Sequence, residues 1–294
     1  MTQPMLCKLG DKSALNNGRQ MIYELKKDGV RCIAHLNSST VLEGRSGKDI
    51  TAQFPELKDL HKQVRHPCDL DGEIMGVDFN AIQHRINLQN ALEIRLRVKK
   101  YPCMLWAFDI LQVGGRSIEN NSLMERKAIL TREFQDAHSA AILPWTEDGV
   151  KLHKITLEQG LEGVVAKDKR SPYCQGKRSP YWLKIKNFHE ATFFVVGMTV
   201  GENARSDTFG ALILAEQRQG KLVYVGSCGT GFDNGQLQKL RSTLQKIEGK
   251  CPIEGKPDKP VLLWARPELK AQVQFLERTG DGMLRFPSFR KIVK

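Results

Sequence analysis

The residues best suited to chemistry form a short segment between two apolar stretches: Lys26, Lys27, Asp28 and Gly29, with Arg31 two positions further on. A lysine is a covalent nucleophile only when its amine is neutral, whereas the ordinary lysine pKa is about 10.4. Because burial and neighbouring cations lower that pKa, a nucleophilic lysine is expected among other positive groups, which would also hold an anionic substrate. The alternative is the solvated tip of a β-hairpin, since Asp-Gly is a common hairpin turn.

Further residues that could bind a nucleotide follow in order along the chain. They are Arg45 and Lys48 in EGRSGKD, Asp71 and Glu73 in LDGEIMG, Phe108 and Asp109 in AFDIL, Glu162 and Lys167 in EGVVAK, and Lys184 and Lys186 in WLKIK. Arginine and lysine hold phosphates, glutamate binds Mg²⁺ or a ribose hydroxyl, and phenylalanine stacks on a base. Each type has a plainer alternative: the wet face of a strand for the lysines, core packing for Phe108, a turn or a helix cap for the glutamates, and a surface position for Arg45.

The composition favours a polyanionic partner. The 294 residues include 45 Lys and Arg against 33 Asp and Glu, a net charge of +12, and each phosphate that a cation neutralises releases counterions. General basicity is the alternative. Seven cysteines without a C-x-x-C pair indicate reduced intracellular thiols, and the scattered histidines offer no metal-ligand spacing. Because the sequence shows neither a signal peptide nor an apolar run of membrane length, it predicts a soluble, cytoplasmic protein without a membrane partner.

The elements that must position these residues are mainly short strands with a few amphipathic helices. Apolar patterning predicts strands in RQMIYEL, VRCIAHL, TVLEGR, YPCMLWAFDILQV, EGVVAK and YWLKIKN, the first three as a meander around the Asp-Gly turn. Helical spacing predicts helices in FPELKDLHKQV, IQHRINLQNALEIRLRVKK and SLMERKAILTREF, the last opened by a capping box of Ser122 and Glu125. This order favours an α+β fold, with helices packed on antiparallel sheets, over βαβ units.

A second domain is predicted beyond a seam between Asn187 and Ala191. ATFFVVGMTVG, FGALILAEQ and KLVYVGSCGTGF are typical strands, NGQLQKLRSTLQKI is a helix, and VLLWARPELKAQVQFLERT adds one or two strands. Five short strands with one helix predict a small Greek-key barrel such as an OB-fold, which commonly binds nucleic acid. Another small β-domain is the alternative. The predicted domains are residues 1–188 and 189–294.

At this point the chain resembles a known family. KKDGVR, EGRSG, LDGEI, FDIL, EGVVAK and YWLKIK look like the ordered motifs of covalent nucleotidyltransferases, specifically ATP-dependent DNA ligases. The second part is similar to the OB domain of bacterial non-homologous end-joining ligases and their small stand-alone relatives. The resemblance covers nearly the whole chain. It implies a nucleotidyltransferase domain of ATP-grasp-like antiparallel sheets with helices, followed by an OB-fold, and a monomeric protein.

The resemblance also implies a reaction in three steps. Lys26 attacks the α-phosphorus of ATP and releases pyrophosphate, which leaves a lysyl-AMP. The 5′-phosphate of a nick in double-stranded DNA takes the AMP, and the 3′-hydroxyl then displaces it and seals the strand. Dividing the condensation in this way is covalent catalysis, and Mg²⁺ or Mn²⁺ is expected to neutralise charge during the transfers.

Each motif residue receives a role from the same resemblance. Lys26 is the nucleophile. The nucleotide and nick are expected to contact Glu24 beside the adenine through its main chain, Arg31 at the ribose or nick, Arg45 at the 5′-phosphate, Glu73 at the ribose or metal, Phe108 and Val165 on the two adenine faces, and Lys184 and Lys186 at the α-phosphate. Glu162 is the expected metal ligand with Glu73 as a second, and Lys167 is a further candidate.

The C-terminal sequence departs from the family. The chain ends GDGMLRFPSFRKIVK, without the usual Arg-x-Asp-Lys that orients the leaving pyrophosphate. The expectation is either slow self-adenylation or a sequence that is shortened at this end. The residues that could substitute are Arg285, Arg290, Lys291 and Lys294. Two loops, Asn203 to Thr208 and Lys256 to Lys259, are candidates for additional grip on DNA.

Three other functions share these features. An mRNA capping guanylyltransferase or an RNA ligase would use the same lysine–nucleotide chemistry, and labelled GTP or a nicked RNA substrate would reveal them. A non-catalytic nucleic-acid-binding relative would keep the fold without turnover.

Overall fold

A computed structural model of the chain describes residues 3–76, 79–135, 138–255, 257 and 259–293. The chain divides into two units, Met1–Lys186 and Asn187–Lys294. Within the described ranges, no helix combines the length and the apolar composition needed to cross a membrane. None of the seven cysteines, all of which lie in these ranges, forms a disulfide.

The first unit consists of two sheets with helices packed on them. Its strands are β1 (Leu6–Leu9), β2 (Met21–Leu25), β3 (Val30–Leu36), β4 (Thr40–Gly44), β5 (Cys68–Gly76), β6 (Cys103–Val113), β7 (Arg116–Ser117), β8 (Ala140–Ile142), β9 (Trp145–Thr146), β10 (Gly163–Asp168) and β11 (Arg178–Lys186). Its helices are α1 (Phe79–Ile86), α2 (Ala91–Lys100), α3 (Leu123–Glu133) and α4 (Gly149–Glu158). The strands run in the order β1-β11-β10-β2-β9 in one sheet and β4-β3-β5-β6-β7 in the other, where β8 also pairs with β6. All pairs are antiparallel except β1–β11 and β6–β8.

The strands on either side of the Asp-Gly turn belong to different sheets. Strand β2 pairs with β10 and β9, whereas β3 pairs with β4 and β5. The predicted meander is therefore correct for β3 and β4 and wrong for β2, because both hydrogen-bonding edges of β2 are occupied by distant segments. The turn connects two sheets, and the solvated hairpin that was its alternative interpretation is excluded.

The predicted helix in FPELKDLHKQV is wrong. The segment forms short 3₁₀ turns at Pro55–Leu57 and Leu60–Gln63. Phe54, Leu57 and Leu60 are fully buried at a spacing of three residues, which is the repeat of a 3₁₀-helix and not of an α-helix.

The long predicted helix in IQHRINLQNALEIRLRVKK is divided into α1 and α2. Asn90 ends the intervening loop, and its side chain accepts hydrogen bonds from the backbone N–H groups of Leu92 and Glu93. An asparagine in this position is an N-cap, so it starts a new helix. The capping box of Ser122 and Glu125 at the start of α3 is confirmed in both directions.

An apolar cluster joins the two sheets of the first unit beside the candidate site. Phe108 on β6 and Trp182 on β11 meet edge to face, with ring centroids 6.2 Å apart and an interplanar angle of 79°. Tyr173 packs on the same tryptophan at 5.7 Å, and Met5 is fully buried in the cluster. Contacts of this kind hold the two sheets at a fixed spacing, so the residues between them have defined positions.

The second unit is a five-stranded sheet with one helix. Its elements are β12 (His189–Thr199), β13 (Leu212–Arg218), β14 (Lys221–Cys228), α5 (Asn234–Lys246), β15 (Val261–Phe275) and β16 (Ser288–Val293). The strand order is β14-β13-β12-β15-β16, and a parallel bridge between Thr230 and Ser288 brings the two edges of the sheet together. Leu237, Leu240 and Leu244 of α5 face the core. The OB-type barrel predicted from the sequence is confirmed.

Candidate active site

Lys26 lies at the centre of a cluster built by three of the sequence motifs. It follows β2 directly, and its backbone N–H donates to the Gly163 carbonyl of β10 at 2.9 Å. Its ammonium donates to Glu162 Oε2 at 2.5 Å, and Lys186 Nζ lies 2.8 Å from Glu162 Oε1. One carboxylate is thus shared by the predicted nucleophile and a lysine of β11.

The surroundings of Lys26 differ from the wholly positive environment that the sequence predicts. Its contact partner is the Glu162 carboxylate, and the cations lie around that pair. Burial lowers the pKa of the Lys184 amine, and the charges of Lys186, Arg178 and Lys26 lower it further. The site therefore combines a concentration of positive charge with a carboxylate in hydrogen-bond contact with the Lys26 amine.

A pocket opens beside Lys26. Its walls are Cys7, Glu24, Leu25, Lys26, Lys27, Arg31, Glu73, Phe108, Leu143, Val165, Lys167 and Trp182. The apolar and aromatic walls can hold a flat base, while the lysines and arginine can hold phosphates. Of the predicted residues, Glu24, Lys26, Arg31, Glu73, Phe108 and Val165 meet at this pocket.

The aromatic wall of the pocket carries two cations. Phe108 is 6% exposed; the Arg31 guanidinium lies 4.4 Å and the Lys167 ammonium 4.3 Å from its ring centroid. Lys167 also lies 4.0 Å from the Trp182 ring centroid. These are cation–π distances, so the aromatic pair stabilises positive charge inside the pocket.

Arg31 is held rigidly by a buried network. Its Nε and Nη2 each donate to one oxygen of Asp71 at 2.6 Å, and the Tyr173 hydroxyl donates to Asp71 Oδ2 at 2.6 Å. The same hydroxyl accepts the Met5 backbone N–H at 2.9 Å. Bidentate pairs of this type fix the direction of the guanidinium.

Glu73 lies opposite Arg31 in the β3–β5 register. It accepts the Gly29 backbone N–H at 3.2 Å, which ties the Asp-Gly turn to β5. Burial raises the pKa of Glu73 to about 7, and the charges of Arg31 and Lys26 only partly oppose this effect. This carboxyl can therefore change its protonation state near neutral pH.

Arg45 lies in a second pocket that shares walls with the first. Arg45 and Lys48 line it together with Gly29, Arg31 and Glu73. Because Arg31 and Glu73 belong to both pockets, the two are neighbours, and the second adds positive side chains suited to a phosphate next to the nucleotide.

Glu24 is buried between two lysines. Its Oε1 accepts a hydrogen bond from Lys127 of α3, and its Oε2 forms an ion pair with Lys167 at 2.7 Å. Only 1% of its surface is exposed. Val165 is its partner in the β2–β10 register, so the predicted adenine contacts Glu24 and Val165 lie on paired strands.

The C-terminal candidates lie in the second unit. Arg285 pairs with Glu277, and Arg290 of β16 pairs with Gln274 and with Glu190. Lys291 lies on β16.

In the first loop candidate, Arg205 donates to the carbonyls of Gly210 and Gly229. In the second, Lys259 lies 3.9 Å from Glu202. Lys294 and Lys256 lie outside the described residues.

The sequence analysis assigned no site role to Trp182 or Lys127. Trp182 packs in the apolar cluster and also forms part of the pocket wall, and the alternation of β11 places it on the same face as Lys184 and Lys186. Lys127 lies in the predicted third helix at a buried position, and a charge inside an apolar stripe is a signal of a buried partner.

The carboxylates of the site are few. Among the residues that the structure describes, no group of three or more His, Cys, Asp and Glu side chains is arranged to hold a metal ion. Mg²⁺, however, commonly binds through one or two carboxylates completed by water and substrate phosphates. Glu162 and Glu73 fit a site of that kind. The two oxygens of Glu162 already contact the cationic groups of Lys26 and Lys186.

Comparisons with known proteins place the chain in a family. Residues 4–186 match the family model of the ATP dependent DNA ligase domain, and residues 205–293 match that of the ATP dependent DNA ligase C terminal region. The multifunctional non-homologous end joining protein LigD of Mycolicibacterium smegmatis is 32% identical over 98% of this chain and 38% of its own length. A DNA ligase of Pyrobaculum islandicum is 29% identical over 92% of this chain and 53% of its own length. The chain thus spans about four-tenths to half of these curated relatives.

Solved structures give the same result. A mycobacterial DNA ligase D complexed with ATP and MES superposes with a TM-score of 0.56 and 26% identity, over 99% of this chain and 95% of that one. A Lig E DNA ligase described as binding DNA with a minimal scaffold shares the fold, with a TM-score of 0.67 and 19% identity over the full length of both chains. Since the first family model covers more than half of the sequence, the chain belongs to the ATP-dependent DNA ligases.

Proposed function

We propose that this chain uses ATP to seal nicks with 5′-phosphate and 3′-hydroxyl ends in double-stranded DNA. The observation that carries the proposal is the position of Lys26, in the wall of the aromatic-lined pocket and 2.5 Å from Glu162. Residues 1–188 act as the nucleotidyltransferase domain and residues 189–294 as the OB domain, close to the division after Lys186.

The first step forms a phosphoramidate. The neutral Lys26 amine attacks the α-phosphorus of ATP, an N–P bond forms, and the P–O bond to pyrophosphate breaks. Glu162 is the nearest acceptor for the proton that the amine must lose, and Lys186 stabilises the resulting negative charge on the α-phosphate. Lys184, whose pKa is lowered, lies on the same strand face and contributes a second donor.

The pocket walls hold the rest of the nucleotide. Phe108 and Val165 contact the two faces of the adenine, and Glu24 lies at its edge. Arg31, fixed by Asp71, contacts the ribose, with Glu73 as a hydroxyl acceptor when it is ionised. Rigid positioning of this kind lowers the entropy that must be lost to reach the transition state.

The second and third steps use DNA. The 5′-phosphate at the nick attacks the lysyl-AMP phosphorus and releases Lys26, which gives adenylated DNA. The 3′-hydroxyl then attacks the 5′-phosphorus, and AMP leaves. Arg45 and Lys48, in the pocket that shares walls with the nucleotide site, hold the 5′-phosphate.

The residues present fit a divalent cation, Mg²⁺ or Mn²⁺. We assign Glu162 as its main protein ligand and Glu73 as a second, weaker one, because burial keeps Glu73 partly protonated near pH 7. When bound, such an ion neutralises charge on the phosphates during transfer.

The names of the relatives support a role in DNA repair, since several are non-homologous end-joining proteins. We propose repair of strand breaks by a monomer in the cytoplasm. Gel filtration coupled to light scattering should give one chain per particle, near 33.2 kDa, and a stable dimer would contradict this.

The experiment that tests the function is a sealing assay on a labelled nicked duplex with ATP and Mg²⁺. We expect a ligated strand with ATP and DNA, none with GTP, and little with a nicked RNA duplex. Guanylylation with GTP would indicate capping chemistry instead, and preferred sealing of RNA would indicate an RNA ligase. Absence of sealing with any substrate would indicate a non-catalytic relative.

A further inference from the structure

Lys27 follows Lys26 directly in the sequence and lines the same pocket. Its side chain is partly buried, and its ammonium lies 4.2 Å from the centroid of the Trp106 ring. This is a cation–π distance, so the aromatic ring holds the ammonium in place. Trp106 is itself packed against the apolar cluster that contains Phe108 and Trp182. A second lysine is therefore fixed inside the cleft beside the proposed nucleophile.

The ammonium groups of Lys26 and Lys27 belong to different walls of the pocket. Lys26 Nζ contacts Glu162, which lies just before β10 of the first sheet. Lys27 Nζ lies against Trp106 of β6 in the second sheet, where Trp106 is the partner of Glu73 in the β5–β6 register. A ligand held between the two sheets would therefore meet one of these ammonium groups on each wall.

Three other cations of this pocket each have a carboxylate partner. The pairs are Lys26 with Glu162, Arg31 with Asp71, and Lys167 with Glu24. Among the residues that the structure describes, by contrast, Lys27 forms no ion pair, and its contact is with the Trp106 ring. Burial lowers the pKa of the Lys27 amine, and a bound anion would oppose that effect. The pocket thus offers a held cation to an anionic ligand.

The leaving group of the first step is the anion that best fits this position. In an in-line displacement, the attacking and departing atoms lie on opposite sides of the phosphorus. Lys26 attacks from the wall of the first sheet, where Lys186 shares its carboxylate partner, so the β- and γ-phosphates depart away from that wall. Lys27 is held on the other wall. The candidates named from the C-terminal sequence for this task, by contrast, lie in the second unit.

We propose that Lys27 is a further catalytic residue of the first step: its ammonium, held against Trp106, binds the β- and γ-phosphates of ATP and stabilises pyrophosphate as it leaves. While the N–P bond to Lys26 forms and the P–O bond breaks, negative charge grows on the departing oxygen, and the Lys27 ammonium stabilises that charge. Trp106 is a positioning residue, because it acts through Lys27. The proposal rests on the proposed function, since it takes the pocket beside Lys26 as the ATP site.

The first test is the reverse of this step, with inorganic pyrophosphate as the probe. An oxygen of pyrophosphate attacks the phosphorus of the lysyl-AMP, the N–P bond breaks, and ATP and free Lys26 are regenerated. Lys27→Met should raise the KM for pyrophosphate by about tenfold or more, which is the loss expected for a charge-assisted hydrogen bond. Lys27→Arg should restore most of the affinity. An unchanged KM for pyrophosphate in Lys27→Met would overturn the proposal.

The second test separates this role from a structural one. Nicked DNA that already carries AMP on its 5′-phosphate needs only the third step, in which no pyrophosphate takes part. Lys27→Met should lower kcat/KM for ATP in lysyl-AMP formation by about tenfold or more and should affect the sealing of this adenylated DNA much less. An equal loss in both reactions would overturn the proposal, because it would indicate a general effect on the fold.

Two further variants complete the design. Trp106→Leu removes the aromatic face that holds the ammonium, and we expect the KM for pyrophosphate to rise severalfold; an unchanged KM would overturn the positioning role of Trp106. Lys154→Met, at an α4 position with 76% exposure, is the matched control and should change neither reaction. If the unmodified protein takes no label from ATP, the proposed function itself fails. If it is labelled and Lys27→Met behaves normally, only the role of Lys27 fails.

Discussion

At the residue scale, the proposed chemistry depends most on the Glu162 carboxylate that Lys26 and Lys186 share. Its Oε2 accepts a hydrogen bond from Lys26 Nζ at 2.5 Å, and its Oε1 lies 2.8 Å from Lys186 Nζ. The pair of lysines would repel each other without it, because the three groups are only partly accessible to solvent. In the proposed mechanism, Glu162 therefore positions Lys26 as the nucleophile, holds Lys186 beside it and accepts a proton.

Replacement of Glu162 should impair the first step strongly. We expect Glu162→Ala to lower the rate of lysyl-AMP formation by about 100-fold or more and to change its Mg²⁺ dependence, since both a proton acceptor and a metal ligand are removed. Single-turnover labelling over a Mg²⁺ titration measures both effects. Glu158→Ala, at an exposed position of α4, is the control. A normal rate with normal Mg²⁺ dependence would rule out the role given to Glu162.

Glu73 should make stability depend on pH. Its pKa is raised from 4.5 to about 7 in the folded protein, so the folded state binds more protons than the unfolded state between those values. Stability from this group is therefore lost as the pH rises from about 4.5 to 7. Between pH 5 and pH 8, the free energy of unfolding of Glu73→Gln should rise by about 2–3 kcal/mol relative to that of the unmodified protein. Urea unfolding at both pH values measures this; a constant difference would contradict the raised pKa.

The chemical identity of the site residues was more predictable than their environment. Lys26, Glu162 and Lys186 are brought together as the motifs indicated. Their spacing in sequence does not reveal that a carboxylate contacts the nucleophile, because that contact joins segments 136 positions apart. Lys127 lies outside the motifs, and its role depends on a partner on β2 that only the packing of α3 identifies.

At the scale of elements, helix α3 links local sequence signals to the pocket. Its capping box is complete, with Ser122 accepting the Glu125 N–H and the Glu125 side chain accepting the Ser122 N–H. The helix then delivers Arg126 and Lys127 to two walls of the site. A defect at the cap should therefore affect both stability and nucleotide use.

Ser122→Ala tests this link. We expect the free energy of unfolding to fall by about 1 kcal/mol, the usual loss for an N-cap, and the KM for ATP to rise severalfold. Asp233→Ala removes the corresponding cap of α5 in the second unit and should lower stability without changing the KM for ATP in self-adenylation. Urea unfolding gives the free energy of unfolding, and labelling kinetics give the KM for ATP. An unchanged KM for ATP in Ser122→Ala would show that the stability of α3 does not affect nucleotide binding.

Strands and capped helices were predictable because their signals are local. The alternation in VRCIAHL and the Ser122 cap each act within a few residues. The pairing of β2 with β10 and β9 is not local, so the Asp-Gly turn was first interpreted as part of a meander. The 3₁₀ turns near Leu57 were missed because a three-residue apolar spacing also fits part of a helical pattern.

At the scale of the whole molecule, the net charge of +12 should govern DNA binding. Each phosphate neutralised by a lysine or arginine releases counterions, so affinity falls as salt rises. We expect the KM for nicked DNA to increase at least about tenfold between 50 and 200 mM salt, whereas the rate of self-adenylation at saturating ATP should change little. A sealing assay measures the KM for nicked DNA, and a labelling assay run in parallel measures the rate of self-adenylation. A KM for DNA that does not respond to salt would contradict an electrostatic contribution from the basic surface.

In the proposed reaction, one lysine carries AMP between ATP and DNA. Incubation with labelled ATP and Mg²⁺, followed by proteolysis and mass spectrometry, tests this most directly. We expect a single AMP adduct on Lys26 that disappears in Lys26→Ala and is transferred to nicked DNA on addition of the duplex. An adduct on another residue, or the persistence of labelling in Lys26→Ala, would contradict the central claim.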